Sequence, residues 1–190
     1  MVLSSFTFLS VLWRLSLDIL PDSYFKKVMK LEKKQLAEGH AVHTMRMFVH
    51  FGDVDHAGIL YYPKLFHYAH LAYEDFLRKV PNWSLPSCFN VQGVGTPVVS
   101  AEASFHGPLA HGEKIAIEVI VERVGQRSFT LGFRLCDDAS MSVRARIRVI
   151  HAIVSQATFQ SIPIPEELRE FLEKEPSGGQ VIPLTNDEVE

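Results

Sequence analysis

TMRMFVHFGDVDHAGILYYPKLFHYAHLAYEDFLRK, Thr44 to Lys79, passes through three patterns in thirty-six residues. Met45, Met47, Val49 and Phe51 fall on one face of an extended chain, the period-two signature of a strand. Gly52 to Gly58 then brings two glycines and two aspartates together, which reads as a loop. Pro63 suits the first turn of a helix, because the N–H it lacks would have been unpaired there in any case. From Pro63 to Lys79 no further proline or glycine intervenes, and Lys64, His67, His70, Glu74 and Arg78 recur at three- and four-residue steps. The rest of that stretch is apolar over most of the circumference. Such a helix, about 26 Å long, calls for wrapping by other elements and not for a place on a surface.

Downstream, after a loop with Pro81 and Pro86, four alternating runs follow. They are Val99-Ala101-Ala103-Phe105, Ile115-Ile117-Val119-Val121, Phe129-Leu131-Phe133-Leu135, and Val143-Ala145-Ile147-Val149 with Ile153. Short turn-rich connectors at His106–Gly112, Gly125-Gln126 and Cys136–Ser140 predict a four-strand meander with neighbours paired antiparallel. The fold class is therefore α+β: an antiparallel sheet wrapped around one long central helix. Pro165, followed by Glu166 and Glu167, starts a second helix with acids at its positive end. This divides the chain into a helical N-terminal extension over residues 1–40, a domain over 41–160, and a C-terminal helix with an acidic, partly disordered tail over 161–190.

Composition agrees with one globular domain and an extension: 190 residues, 47% hydrophobic and 22% charged. The net charge of −3 is uneven, because the segment from Ser161 onward carries −6 and the remainder +3. That balance argues against nucleic acid as a partner. Two cysteines, Cys88 and Cys136, build neither a disulfide framework nor a four-ligand zinc site, and their scarcity fits a reducing, cytoplasmic setting. The opening MVLSSFTFLSVLW runs 13 residues before Arg14, short of the roughly 20 that span a bilayer, and lacks a basic leader and a small-residue cleavage site. No integral membrane span is expected. Lys26, Lys27, Lys30, Lys33 and Lys34 read as a solvated helix face closed by Gly39.

Familiar site patterns are mostly missing: no GxSxG, no HExxH and no phosphate-binding loop. Gly93-Val94-Gly95 reads as loop. His67 and His70 lie on the polar stripe of the helix without a clear third ligand, so no metal is assigned. Cys88 has no neighbouring base and reads as an inert thiol.

FGDVDHAGILYYPKL, with the helix and then GVGTPVVSAEASF and ERVGQRSF in order, resembles the 4-hydroxybenzoyl-CoA thioesterase family of hotdog-fold proteins. The resemblance runs from about Met45 to Ile153. It implies an acyl-CoA thioesterase, without metal or cofactor, paired into homodimers or homotetramers with sites at subunit interfaces. It implies that Asp55 attacks the thioester or activates water, and that the amide of Tyr62, the residue before the helical proline, donates to the developing oxyanion. Gly58 would let the backbone approach the substrate. Tyr61 and Pro63 would border it, and Arg127, in QRSF, would meet the phosphates of coenzyme A. His70 stands where 4-hydroxybenzoyl-specific members carry an acid, and His56 where they carry proline, so the acyl group stays open among aromatic and short aliphatic ones. Asp53 reads as a turn-holder bonded to backbone, and Tyr61 and Tyr62 side chains as core aromatics. Arg144, Arg146 and Arg148 read as an outward-facing stripe. A non-catalytic acyl-CoA-binding module is an alternative. So is a dehydratase acting on carrier-bound acyl groups, which would want a catalytic histidine with an acid from the neighbouring subunit, a part for which His56 could be mistaken.

Overall fold

A computed structural model describes residues 39–80 and 93–174. Cys88, the lysine run and the acidic tail, like nearly all of the expected N-terminal helix, lie outside them. The elements in chain order are β1 (His43–Phe48), a 3₁₀ turn (Phe51–Asp53), α1 (Lys64–Leu77), β2 (Val94–Gly95), β3 (Val98–Phe105), β4 (Lys114–Val124), β5 (Ser128–Asp137), β6 (Val143–Ala152), β7 (Val154–Ser155) and α2 (Glu166–Lys174). Five strands form one antiparallel sheet in the order β1-β4-β5-β6-β3, and β2 pairs separately with β7.

The core forms where the two periodicities meet. Ile115, Ile117, Val119 and Val121 of β4, with Phe129, Leu131, Phe133 and Leu135 of β5, point inward and are almost fully buried. They pack against Leu65, Tyr68, Ala69, Ala72, Tyr73, Phe76 and Leu77, half of α1. The sheet thus wraps the long helix, as its apolar girth requires. At roughly 1.5–3 kcal/mol per large side chain, this burial is what holds helix to sheet. Leu168 and Leu172 of α2 join the same core, and Phe171 lies 5.1 Å from Phe76.

The strand order corrects the four-strand meander. β4, β5 and β6 do form consecutive hairpins, but β3 pairs with β6 at the far edge, and β1 takes the place beside β4. Residues 106–113 must therefore cross three strand spacings, about 14 Å, well within the reach of eight residues. They are drawn across because their backbone bonds the loop after β1: Val49 N–H donates to Glu113 O at 2.9 Å, and Leu60 N–H to Leu109 O at 2.8 Å. Three smaller corrections follow. Phe51 leaves the strand face for the 3₁₀ turn and is 79% exposed. Gly93-Val94-Gly95 contributes a two-residue strand. Gly39 does not adopt the left-handed conformation of a helix-ending glycine; a Cβ there would meet Ile120 Cγ2 at 2.5 Å, so close packing explains it.

Candidate active site

The loop between β1 and α1 is a small hairpin whose tip follows turn chemistry. Gly58 N–H donates to Asp55 O and Asp55 N–H to Ile59 O, each at 2.9 Å. Asp-His-Ala-Gly is thus a type I turn, with Gly58 at φ +75 supplying the left-handed residue that closes it. A Cβ on Gly58 would meet nothing within 4 Å, so conformation is what demands glycine in this chain, and the space above it is open. Two further bonds pin the hairpin at its base and side: Tyr61 N–H to Asp53 O at 2.8 Å, and His111 N–H to Gly58 O at 3.2 Å.

The turn-holding bond read from sequence for Asp53 is made by Asp55. Asp55 is exposed and accepts Ala57 N–H on Oδ1 at 2.8 Å, the side-chain-to-backbone bond assigned above to Asp53. That bond orients the carboxylate and leaves Oδ2 with its lone pairs for chemistry. Asp53 instead holds side chains. Tyr68 Oη donates to its Oδ2 at 2.9 Å while accepting His50 N–H at 3.1 Å, and Lys64 Nζ lies 2.8 Å from Oδ1. The Lys64 ammonium lowers the Asp53 carboxyl below its ordinary range against the opposing effect of burial. Burial, helped by Asp53, pushes the Tyr68 phenol up to about 12. Both groups therefore stay in their hydrogen-bonding forms around neutral pH.

At the start of α1, Lys64, Leu65 and Phe66 N–H groups bond back to the carbonyls of Tyr61, Tyr62 and Pro63 at 2.8, 3.2 and 3.2 Å. Proline has no N–H to offer. Among the described residues nothing accepts from the Tyr62 N–H, which therefore stands unpaired at the positive end of the helix. The Tyr61 and Tyr62 side chains are 46% and 62% exposed and meet edge to face at 5.1 Å, so they are surface aromatics and not core.

One turn along α1 from this point a cleft opens between the helix and the sheet. Phe66, Ala69, His70, Tyr73, Phe133 and His151 are among its walls, and it encloses about 440 Å³ including its open mouth. His70 stands half-exposed at this cleft, 3.1 Å from Glu74. His151 was not singled out in the sequence, although a histidine between Val149 and Ile153 at an inward position of a core strand was the signal.

Arg127 is exposed in the β4–β5 turn, and its carbonyl accepts Ile153 N–H at 2.8 Å. The loop that carries Asp55 docks beside the other end of β4, about 33 Å away along an eleven-residue strand. One chain does not bring Arg127 and Asp55 together. Nor is the arginine stripe wholly free: Arg148 Nε donates to Glu122 at 2.5 Å and its Nη1 to Glu102 at 2.9 Å. Cys136 is buried, and burial pushes its thiol up to about 11, so it is no nucleophile. Among the described residues no group of three or more potential ligands could hold a metal ion, and no helix is long and apolar enough to cross a membrane.

Residues 49–172 match the model of the thioesterase-like superfamily. A 1,4-dihydroxy-2-naphthoyl-CoA hydrolase of Thermosynechococcus vestitus is 30% identical over 128 residues, 67% of this chain and 86% of that one. In structure, the chain resembles a 1,4-dihydroxy-2-naphthoyl-CoA thioesterase from Synechocystis, with a TM-score of 0.65, 21% identity, and coverage of 69% of this chain and 95% of that one. It also resembles a 4-hydroxybenzoyl-CoA thioesterase, with a TM-score of 0.63, 22% identity, and coverage of 68% and 97%. At those identities the two structures speak for the hotdog fold, while the family match and the Thermosynechococcus relative speak for descent. The chain belongs to the thioesterase-like superfamily.

Proposed function

We propose that this protein hydrolyses an acyl-CoA thioester, with Asp55 as nucleophile or general base and the Tyr62 N–H as oxyanion donor. The observation that carries the reading is the unpaired Tyr62 N–H at the head of α1, on the same pinned hairpin as the free Oδ2 of Asp55. The hairpin pairs Asp53 with Tyr61, so Asp55 stands two residues toward its tip and Tyr62 one residue toward its base. The reaction asks for a thioester carbonyl held with its oxygen about 3 Å from the donor and its carbon about 3 Å from the carboxylate.

In the covalent route Asp55 Oδ2 bonds to the acyl carbon, the C–S bond breaks, and the thiolate of coenzyme A leaves and takes up a proton. Water then opens the mixed anhydride and regenerates the carboxylate. In the general-base route Asp55 takes a proton from water, which attacks the same carbon; the C–S bond breaks, and the proton passes from Asp55 to the departing thiolate. Either route needs the carboxylate and the N–H, and neither needs a metal or cofactor. Gly58 sets the turn that presents Asp55, while Tyr61 and Pro63 border the reacting carbonyl. The half-exposed His70 faces the acyl group.

The oligomer belongs to the same reading. β3 is an edge strand paired only with β6 among the described strands, and its Val98, Val99 and Phe105 are 52%, 62% and 49% exposed. Phe48, Phe51, Tyr61 and Tyr62 add further exposed aromatic surface around the loop. A bare apolar edge of this kind invites association. A second copy covering it, in a homodimer or a homotetramer built from it, supplies its Arg127 to the phosphates of coenzyme A at the first copy's loop. Two cysteines in the whole chain are too few for a disulfide framework, and that scarcity supports a cytoplasmic location.

Thiol release from aromatic and aliphatic CoA esters tests the function. Asp55→Asn keeps an oxygen to accept Ala57 N–H, so it should fold normally and lose about 10²-fold to 10⁴-fold in turnover. Near-normal turnover in that variant removes Asp55 from the mechanism.

A further inference from the structure

The turn between β4 and β5 is braced by a part of the chain that the hydrolytic step does not use. Gly125 N–H donates to Ser128 O at 2.8 Å, which closes the turn. Its three successive carbonyls each accept from the chain that follows β6. Ile153 N–H donates to Arg127 O at 2.8 Å, and Ile164 N–H to Gln126 O at 2.9 Å. Arg169 of α2 completes the set: its Nη2 donates to Gly125 O at 2.8 Å and to Gln126 O at 3.3 Å. The other arm of the guanidinium, Nη1, donates to Glu173 at 3.0 Å, one turn along the helix, which sets the fork. Behind these donors Ile153, Ile164, Leu168 and Leu172 are buried, so the brace is anchored in the core. Gln126 and Arg127 are exposed, and water can satisfy carbonyls there. Hydrogen-bond accounting therefore does not demand an arginine at this place. What the guanidinium adds, and water cannot, is a fixed turn.

The side chain that this turn presents is Arg127. We infer that Arg169 is a positioning residue for coenzyme A binding: by holding the Gly125 and Gln126 carbonyls it fixes the turn from which Arg127 reaches the phosphates at the loop of a second copy. An arginine on a loose turn loses backbone as well as side-chain freedom when it grips an anion, and one on a clamped turn loses less. Arg169 acts through Arg127 and not on the ligand, because its Nη2 is committed to the turn and its Nη1 to Glu173. The phosphates and the thioester lie at opposite ends of coenzyme A, so the brace governs capture and leaves the reacting centre alone. The inference rests on the thioesterase reading, and on the part of Arg127 in it, and brings the C-terminal helix into the binding of the substrate.

Benzoyl-CoA and the N-acetylcysteamine thioester of benzoic acid separate this from a merely structural role, since the second has the same reacting group and no phosphates. Arg169→Met keeps the apolar stem and removes the donors. It should raise KM for benzoyl-CoA about tenfold, leaving its kcat and the kcat/KM of the truncated thioester close to the wild type. In an Arg127→Ala background it should raise KM no further, because the group it positions is gone. Arg169→Lys, with one donor centre in place of a fork, should recover part of the affinity. Equal losses on both thioesters, or an undiminished effect in the Arg127→Ala background, mean that Arg169 only stabilises the fold and overturn the inference. A folded Arg169→Met with the wild-type KM does the same. Should Arg169→Met fail to fold, Arg169→Lys decides: a smaller rise in KM confined to benzoyl-CoA supports the inference, and no rise overturns it. Wild-type KM in Arg127→Ala removes the part of Arg127 and the inference with it. If neither thioester is cleaved, the thioesterase reading fails separately, and calorimetric titration with coenzyme A decides. Affinity lowered by Arg127→Ala and Arg169→Met without addition supports the brace, and affinity untouched by Arg169→Met overturns it.

Discussion

Tyr68 and Asp53 form the bond that ties the Asp55 hairpin to the central helix: the phenol on α1 donates to the carboxylate of the 3₁₀ turn at 2.9 Å and accepts His50 N–H at 3.1 Å. Tyr68→Phe removes both bonds and leaves a partly buried carboxylate and a backbone donor with fewer partners. The expected cost is about 1–3 kcal/mol, visible as a lower urea midpoint. Because the hairpin also presents Asp55, turnover should fall with it. A variant as stable and active as the wild type would show that the link positions nothing.

The same pair predicts how stability follows pH. The Asp53 carboxyl is depressed in the folded protein, chiefly by Lys64. Its contribution is therefore present above the unfolded value of about 3.9 and is lost as pH falls through the folded one. The Tyr68 phenol is raised from 10.0 to about 12, chiefly by burial. Its contribution is complete below pH 10 and disappears between about pH 10 and 12. Thermal unfolding across pH should show both limbs, and Tyr68→Phe should flatten the alkaline one. An alkaline limb identical in that variant assigns the loss to other groups.

Gly58 tests conformation separately from space. Its φ of +75 is one that side chains rarely adopt, and nothing lies within 4 Å of where a Cβ would stand. Gly58→Ala should cost about 1–2 kcal/mol from backbone strain alone. Gly58→Asn should cost less, since asparagine visits that region more readily. Calorimetric melting points ranking alanine above asparagine would contradict the turn assignment.

Arg127 makes the sharpest test of the assembly. Asp55→Asn and Arg127→Ala should each be impaired. If the two residues meet across a twofold interface, mixed dimers carry one site with both lesions and one with neither. Random mixing should then restore about a quarter of wild-type turnover. Mixing that restores nothing, after exchange between subunits is verified, means Arg127 does not serve a partner's site.

Much of this protein was written in short-range pattern. The 3.6-residue period of α1, the alternation of β3 to β6, and the Asp-His-Ala-Gly tip of the hairpin each depend on neighbours a few residues apart, so local chemistry dictates them. Asp55 and the amide before Pro63 are singled out by the family resemblance and not by local pattern, since loop chemistry alone reads an aspartate there as a turn-holder. The tertiary structure decided what depends on distant partners. β3 left β4 because residues 106–113 found their bonds on the loop after β1. Asp53 went to Tyr68, fifteen positions on, and the Gly125 carbonyl to Arg169, forty-four positions on. Period and turn propensity are properties of a segment, whereas the partner of a buried polar atom is chosen only once the segments pack, because leaving it unpaired costs more than any local preference.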